Sequence, residues 1–78
     1  MPHPLIQDAI DLGLHVERIG EAAIIYTSEG DLRIGAIIPA LQSESFDFWE
    51  YSYATALGAS QVPEAQLQRS IHAASRKG

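Results

Sequence analysis

The sequence predicts a small single-domain α+β protein, with helices packed on a three-stranded antiparallel meander in the order α-β-β-β-α. Three observations predict it. A small and β-branched stretch over 22–27 and a stretch alternating at a period of two over 32–38 flank a glycine-bearing turn, the pattern of a β-hairpin. Apolar residues recur at helical spacing near both ends of the chain. Five of the six aromatic residues crowd between Phe46 and Tyr53, and such ring-rich composition suits a third strand. At 78 residues the chain is one domain spanning 1–78, and a domain of this size buries only roughly 60% of its extended surface on folding.

Pro4 suits the first position of a helix, where its missing N–H costs nothing. Leu5, Ile6, Ala9 and Ile10 follow at helical spacing with Leu12 beside them, and Gly13 offers a left-handed stop. The spacing predicts a helix over 4–12. Asp8 and Asp11 share one of its faces, and a solvated helix surface explains them better than a metal site.

An extended stretch begins at Val16, with Gly20 interrupting it as a bulge or bend. Ala22 to Thr27 is small and β-branched. Ser28-Glu29-Gly30-Asp31 reads as a turn in which Gly30 supplies positive φ. Leu32, Ile34, Ala36 and Ile38 then alternate with Arg33, Gly35 and Ile37. If Glu29-Gly30 is the loop, Ile25 faces Ile34 and Thr27 faces Leu32. Pro39 lacks a donor and should end the strand.

Residues 40–45 form a polar connection. Beyond it, a helix could use Asp47 and Glu50 as a capping box and line Phe46, Trp49, Tyr53 and Leu57 on one face. A strand would send Trp49, Tyr51 and Tyr53 one way and Phe46, Phe48 and Glu50 the other. The strand is favoured, because rings are poor helix formers and a lone hairpin is marginal without a third strand. Gly58-Ala59-Ser60 reads as loop. Pro63 and Glu64 then suit a helix start, Leu67, Ile71 and Ala74 repeat at helical spacing, and Arg69, Arg76 and Lys77 fall toward the negative end. This predicts a helix over 62–76.

The simplest packing puts Trp49, Tyr51 and Tyr53 in the core with Ile25, Ile34 and the Leu67 face. Phe46, Phe48 and the Ala22-Ile24-Tyr26 row then lie on the opposite face. An open face of that kind invites a second copy or another protein, unless a helix or loop covers it. The helix–three strands–helix order resembles that of double-stranded RNA-binding domains. That family carries a lysine cluster at the start of its last helix, where this chain has Pro63-Glu64-Ala65-Gln66, so RNA binding is not implied.

The net charge is −5, and all ten acids lie at or before Glu64. From Glu64 onward the cations are Arg69, Arg76 and Lys77. An acidic body disfavours nucleic acid, which is bound through several cations, and favours solubility and basic partner surfaces. There is no cysteine, hence no disulfide framework or thiolate metal site. The N-terminal residues lack a signal-peptide pattern and no apolar run is long enough to span a membrane, so a cytoplasmic location is expected.

No cofactor or metal is expected. His3, His15 and His72 fall in separate elements, without further ligands at metal spacing. There is no phosphate-cradling glycine loop and no framed nucleophile. Enzymatic activity is not expected. The remaining candidate is a partner-binding patch of Glu44, Phe46, Asp47, Phe48 and Glu50, with rings for affinity and carboxylates for orientation and on-rate. The acids could instead only keep an aromatic edge soluble. The expectation is a stoichiometric inhibitor or modulator that covers a basic, possibly nucleic-acid-binding, surface of another protein, as phage-encoded inhibitors such as anti-CRISPRs do. The alternative is a dimeric nucleic-acid-binding regulator using Arg69, His72, Arg76 and Lys77.

Overall fold

The computed structural model describes residues 3–27, 33–42, 44–52 and 58–75. It is a small α+β domain: α1 (Pro4–Asp11), β1 (His15–Ile19), β2 (Ala22–Tyr26), β3 (Arg33–Pro39), β4 (Phe46–Ser52), β5 (Gly58–Val62) and α2 (Glu64–Ser75). The sheet is a five-stranded antiparallel meander in the order β1-β2-β3-β4-β5, not the three strands expected.

Two strands escaped the sequence reading, each for a local reason. Gly20 does not bend one long strand. It opens a two-residue loop that pairs Ile19 with Ala22 and separates β1 from β2. Its φ of 63° is the positive value that the first position of a primed hairpin turn requires. Gly58-Ala59-Ser60 has loop composition but pairs with Ser52, Tyr51 and Glu50 as the edge strand β5. Small residues are tolerated there because only one neighbouring strand has to be satisfied.

The hairpin register holds at its first described pair, Tyr26 with Arg33, and then slips by one residue. Ile25 pairs with Gly35 and not with Ile34. Ile34 is the extra residue of a bulge, which lets it join the buried cluster. The turn at Ser28–Asp31 and the Thr27–Leu32 pair lie outside the described residues. Pro39 closes β3 opposite Phe46. The aromatic stretch is a strand over Phe46–Ser52, so the Asp47–Glu50 capping box does not form. Tyr53 and Leu57 lie outside the described residues.

Both ends of α1 and the start of α2 rest on recognisable chemistry. His3 caps α1, its Nδ1 accepting from Leu5 N–H at 3.1 Å. At the other end Gly13, at φ 86°, donates to Ile10 C=O and Leu14 donates to Ala9 C=O, a Schellman closure. The helix buries Leu5, Ile6 and Ala9, while Ile10 is 41% exposed, outside the apolar face assigned to it. The second helix starts two residues later than expected because Val62 still pairs with Phe48. The Pro63 carbonyl takes the first helical bonds, from Gln66 and Leu67.

Both helices lie on one face of the sheet. Leu5, Ile6 and Ala9 of α1 and Leu67 and Ile71 of α2 close over Ala23, Ile25, Ile34 and Ile37, with Val16, Phe46, Phe48 and Val62 at the margin. Ile25, Ile37, Leu67 and Ile71 are fully buried, each contributing about 1.5–3 kcal/mol of transfer free energy.

Candidate functional site

Strand parity decides what each face offers. One cross-strand row under the helices runs Arg18, Ala23, Ile37, Phe48 and Val62, and the next runs Val16, Ile25, Gly35, Glu50 and Ser60. Between them, on the opposite face, runs Glu17, Ile24, Ala36, Trp49 and Gln61. The expected assignment of β4 is therefore reversed. Phe46 and Phe48 turn toward the helices, where both pack edge-on against the His3 ring at centroid distances of 5.3 Å. Trp49 and Tyr51 turn away from the core. The hydrophobic alternation of β4 could not decide this, because both of its faces carry rings. Gly35 decides it. Leu67 of α2 descends onto the bare backbone at Gly35, and β3–β4 pairing then fixes Phe48 opposite Ile37 on that same side.

The five residues expected to form one patch are consequently divided. Phe46, Phe48 and Glu50 face the helices. Asp47 lies on the opposite face with Trp49. Glu44 is exposed in the connection before β4. Glu50 is held by α2: one carboxylate oxygen accepts from Gln66 Nε2 at 2.8 Å and the other from the Ser70 hydroxyl at 2.9 Å. Asp47 accepts from Gln61 Nε2 at 3.0 Å.

The histidines tie elements together. His3 Nδ1 accepts from Leu5 N–H, and its Nε2 faces Glu64 at 3.3 Å, which joins the starts of the two helices. His72 Nε2 meets Asp8 at 2.9 Å and joins the same helices further along. Asp11 is bonded by Gln7. Of the basic residues assigned to the last helix, Arg69 is exposed and His72 is engaged by Asp8; Arg76 and Lys77 lie outside the described residues. Among the described residues, no three His, Cys, Asp or Glu side chains gather as a metal-binding group, and no helix is long and apolar enough to cross a membrane.

What remains chemically distinctive is the helix-free face. It carries Ile24, Tyr26, Ala36, Ile38, Trp49 and Tyr51 on the three central strands, with Ile19 on β1. Ile38 and Ile19 are 41% and 60% exposed. His15 stacks on Tyr26, with ring centroids 5.3 Å apart and planes 18° from parallel. Past the bulge, Arg33 pairs with Tyr26 and reaches over Tyr51, its Cζ 6.0 Å from the ring centroid. Glu17 and Asp47 stand at opposite margins. The sequence contains this face as a list of residues, but only the strand parity assembles it.

The fold and this surface define a small acidic α+β domain with one sheet face closed by helices and the other rich in apolar and aromatic side chains. No protein-family model, curated protein or solved structure matches the chain.

Proposed function

We propose that this chain is a small acidic protein-binding module, without catalytic chemistry of its own, that acts by covering a surface of another protein stoichiometrically. The observation that carries the proposal is the helix-free face with Trp49, Tyr51, Tyr26, Ile24 and Ile38 in adjoining rows. Tyr and Trp are the side chains that most often anchor protein interfaces, and contiguous exposed apolar surface marks interaction sites. The net charge of −5, with Glu17 and Asp47 beside the rings, favours a partner with a basic margin and speeds encounter with it. A nucleic-acid-binding surface is one such target. The contact is therefore placed on Trp49, Tyr51 and Ile38 with Asp47, in place of Phe46 and Phe48, which serve the core.

The test compares capture from a lysate of the expressing cells by the wild type, by Ile38→Lys combined with Trp49→Ala, and by Gln68→Lys on exposed α2. A partner recovered by the wild type and by Gln68→Lys, and lost with the double variant, supports the reading. Equal recovery by all three would remove the face from consideration.

A further inference from the structure

We infer that β5 is a self-pairing edge, through which two copies of this chain join into a continuous ten-stranded antiparallel sheet. The inference does not depend on the partner-binding reading above. A five-stranded meander has two edges, and each edge strand presents a row of main-chain N–H and C=O groups that seek partners. The two edges are differently protected. On β1, Glu17 and Arg18 put charge on the edge, and α1 lies alongside. On β5 the sequence Gly58-Ala59-Ser60-Gln61-Val62 has no charge and no proline, and Ala59, Ser60 and Gln61 are exposed. Among the described residues, no backbone group outside β4 pairs with β5.

With the two-fold axis through the middle residue of the strand, self-pairing is permissive on β5 and unfavourable on β1. Centred on Ser60, it places Ser60 opposite its own copy, Ala59 opposite Gln61 and Gly58 opposite Val62, all compatible pairs. Centred on Glu17, β1 would place two glutamates directly opposite, which is destabilising. Two-fold pairing is also the commonest form of association.

The net charge of −5 on each copy is not focused at this junction. The carboxylates nearest β5 keep their charge but are oriented toward groups of their own copy: Glu50 toward Gln66 and Ser70, Asp47 toward Gln61, Glu64 toward His3. Three strand spacings separate Glu50 from its symmetry mate, about 14 Å, against a Debye length of about 8 Å at physiological ionic strength. The joined sheet would carry the rows of Trp49 and Tyr51 from both copies on one continuous face.

The experiment is sedimentation equilibrium over a wide concentration series at low and high salt, on the wild type and three variants. The wild type is expected to dimerise, and added salt to leave dimerisation unchanged or strengthen it. Ser60→Lys places like charges opposite across the axis while each lysine faces Glu50 of its own copy. It should raise the dissociation constant about tenfold or more without lowering the melting temperature measured at concentrations where the wild type is monomeric. Ala59→Pro and Ser60→Pro separate fold from assembly, because successive N–H groups point to opposite sides of a strand. One of the two should destabilise the β4 pairing, and the other should melt like the wild type at dilutions where the latter is monomeric, yet remain monomeric when concentrated. A wild type monomeric throughout, a dimer weakened by salt, or a dimer that survives Ser60→Lys and both prolines but is lost with Ile38→Lys would each overturn the inference.

Discussion

Gly35→Ala tests the reason the two layers sit as they do. Gly35 is buried on β3 between Ile25 and Glu50, without unusual backbone conformation, so an alanine meets no torsional objection there. The objection is spatial. A Cβ built at this position falls well inside contact distance of both Leu67 Cδ1 and the Trp49 carbonyl oxygen. Leu67 could yield by changing rotamer, but the carbonyl belongs to the neighbouring strand and can move only with it. Overpacking a core costs roughly 1–3 kcal/mol, and a main-chain obstruction argues for the upper half of that range, about 2–3 kcal/mol. A domain of 78 residues has a total stability of roughly 4–12 kcal/mol. The melting temperature should therefore fall by roughly 10–20 °C, and the urea midpoint by about 2–3 M at a slope near 1 kcal/mol/M. Circular dichroism follows both transitions. Adding Leu67→Ala removes one of the two obstructions, so the double variant should be less destabilised than the sum of the singles. A Gly35→Ala protein within about 0.5 kcal/mol of the wild type would refute close helix–sheet approach at this point, and with it the argument that fixes the parity of β4.

The remaining predictions probe the core, the caps and the Glu50 clamp. Ile37→Ala, at a fully buried position, should cost about 2–5 kcal/mol, whereas Leu41→Ala, at a fully exposed one, should stay within about 0.5 kcal/mol; urea denaturation measures both. His3→Ala removes the α1 cap and the edge contacts to Phe46 and Phe48, and should cost about 1–2 kcal/mol, read as a lowered melting temperature. Gly13→Ala has free space around its new Cβ but sits at φ 86°, so a loss of about 1–2 kcal/mol is expected from conformation alone, in contrast to Gly35. Glu50→Ala releases Gln66 and Ser70 of α2 and should cost about 1–2 kcal/mol, with increased amide exchange along α2 as its signature.

Local chemistry is legible in the sequence wherever one residue type does one thing. Pro4 and Gly13 bracket α1, and Leu67 and Ile71 mark the buried stripe of α2. Pro39 ends β3, and the concentration of rings makes β4 a strand. These outcomes depend on main-chain torsions and nearest-neighbour spacing, which a short segment carries by itself. The edge strand β5 was hidden because Gly58, Ala59 and Ser60 have no strand preference; their conformation comes from the hydrogen-bonding ladder of β4. The division of residues 15–26 into two strands turned on whether Gly20 bends a strand or reverses it, and both uses exploit the same conformational freedom.

The orientation of β4 belongs to the tertiary structure alone. Phe46 and Phe48 on one side and Trp49 and Tyr51 on the other are equally credible cores, so alternation identifies two faces without ranking them. What ranks them is a single absent side chain on the neighbouring strand. Gly35 admits Leu67, the register pairs Gly35 with Glu50 and Ile37 with Phe48, and the tryptophan face is left without a helix. The spacing of aliphatic residues in this chain pointed to two helices with buried stripes, and the clustering of rings pointed to β4. Which rings stayed outside was set by close packing between elements far apart in sequence, a contact that no local pattern encodes.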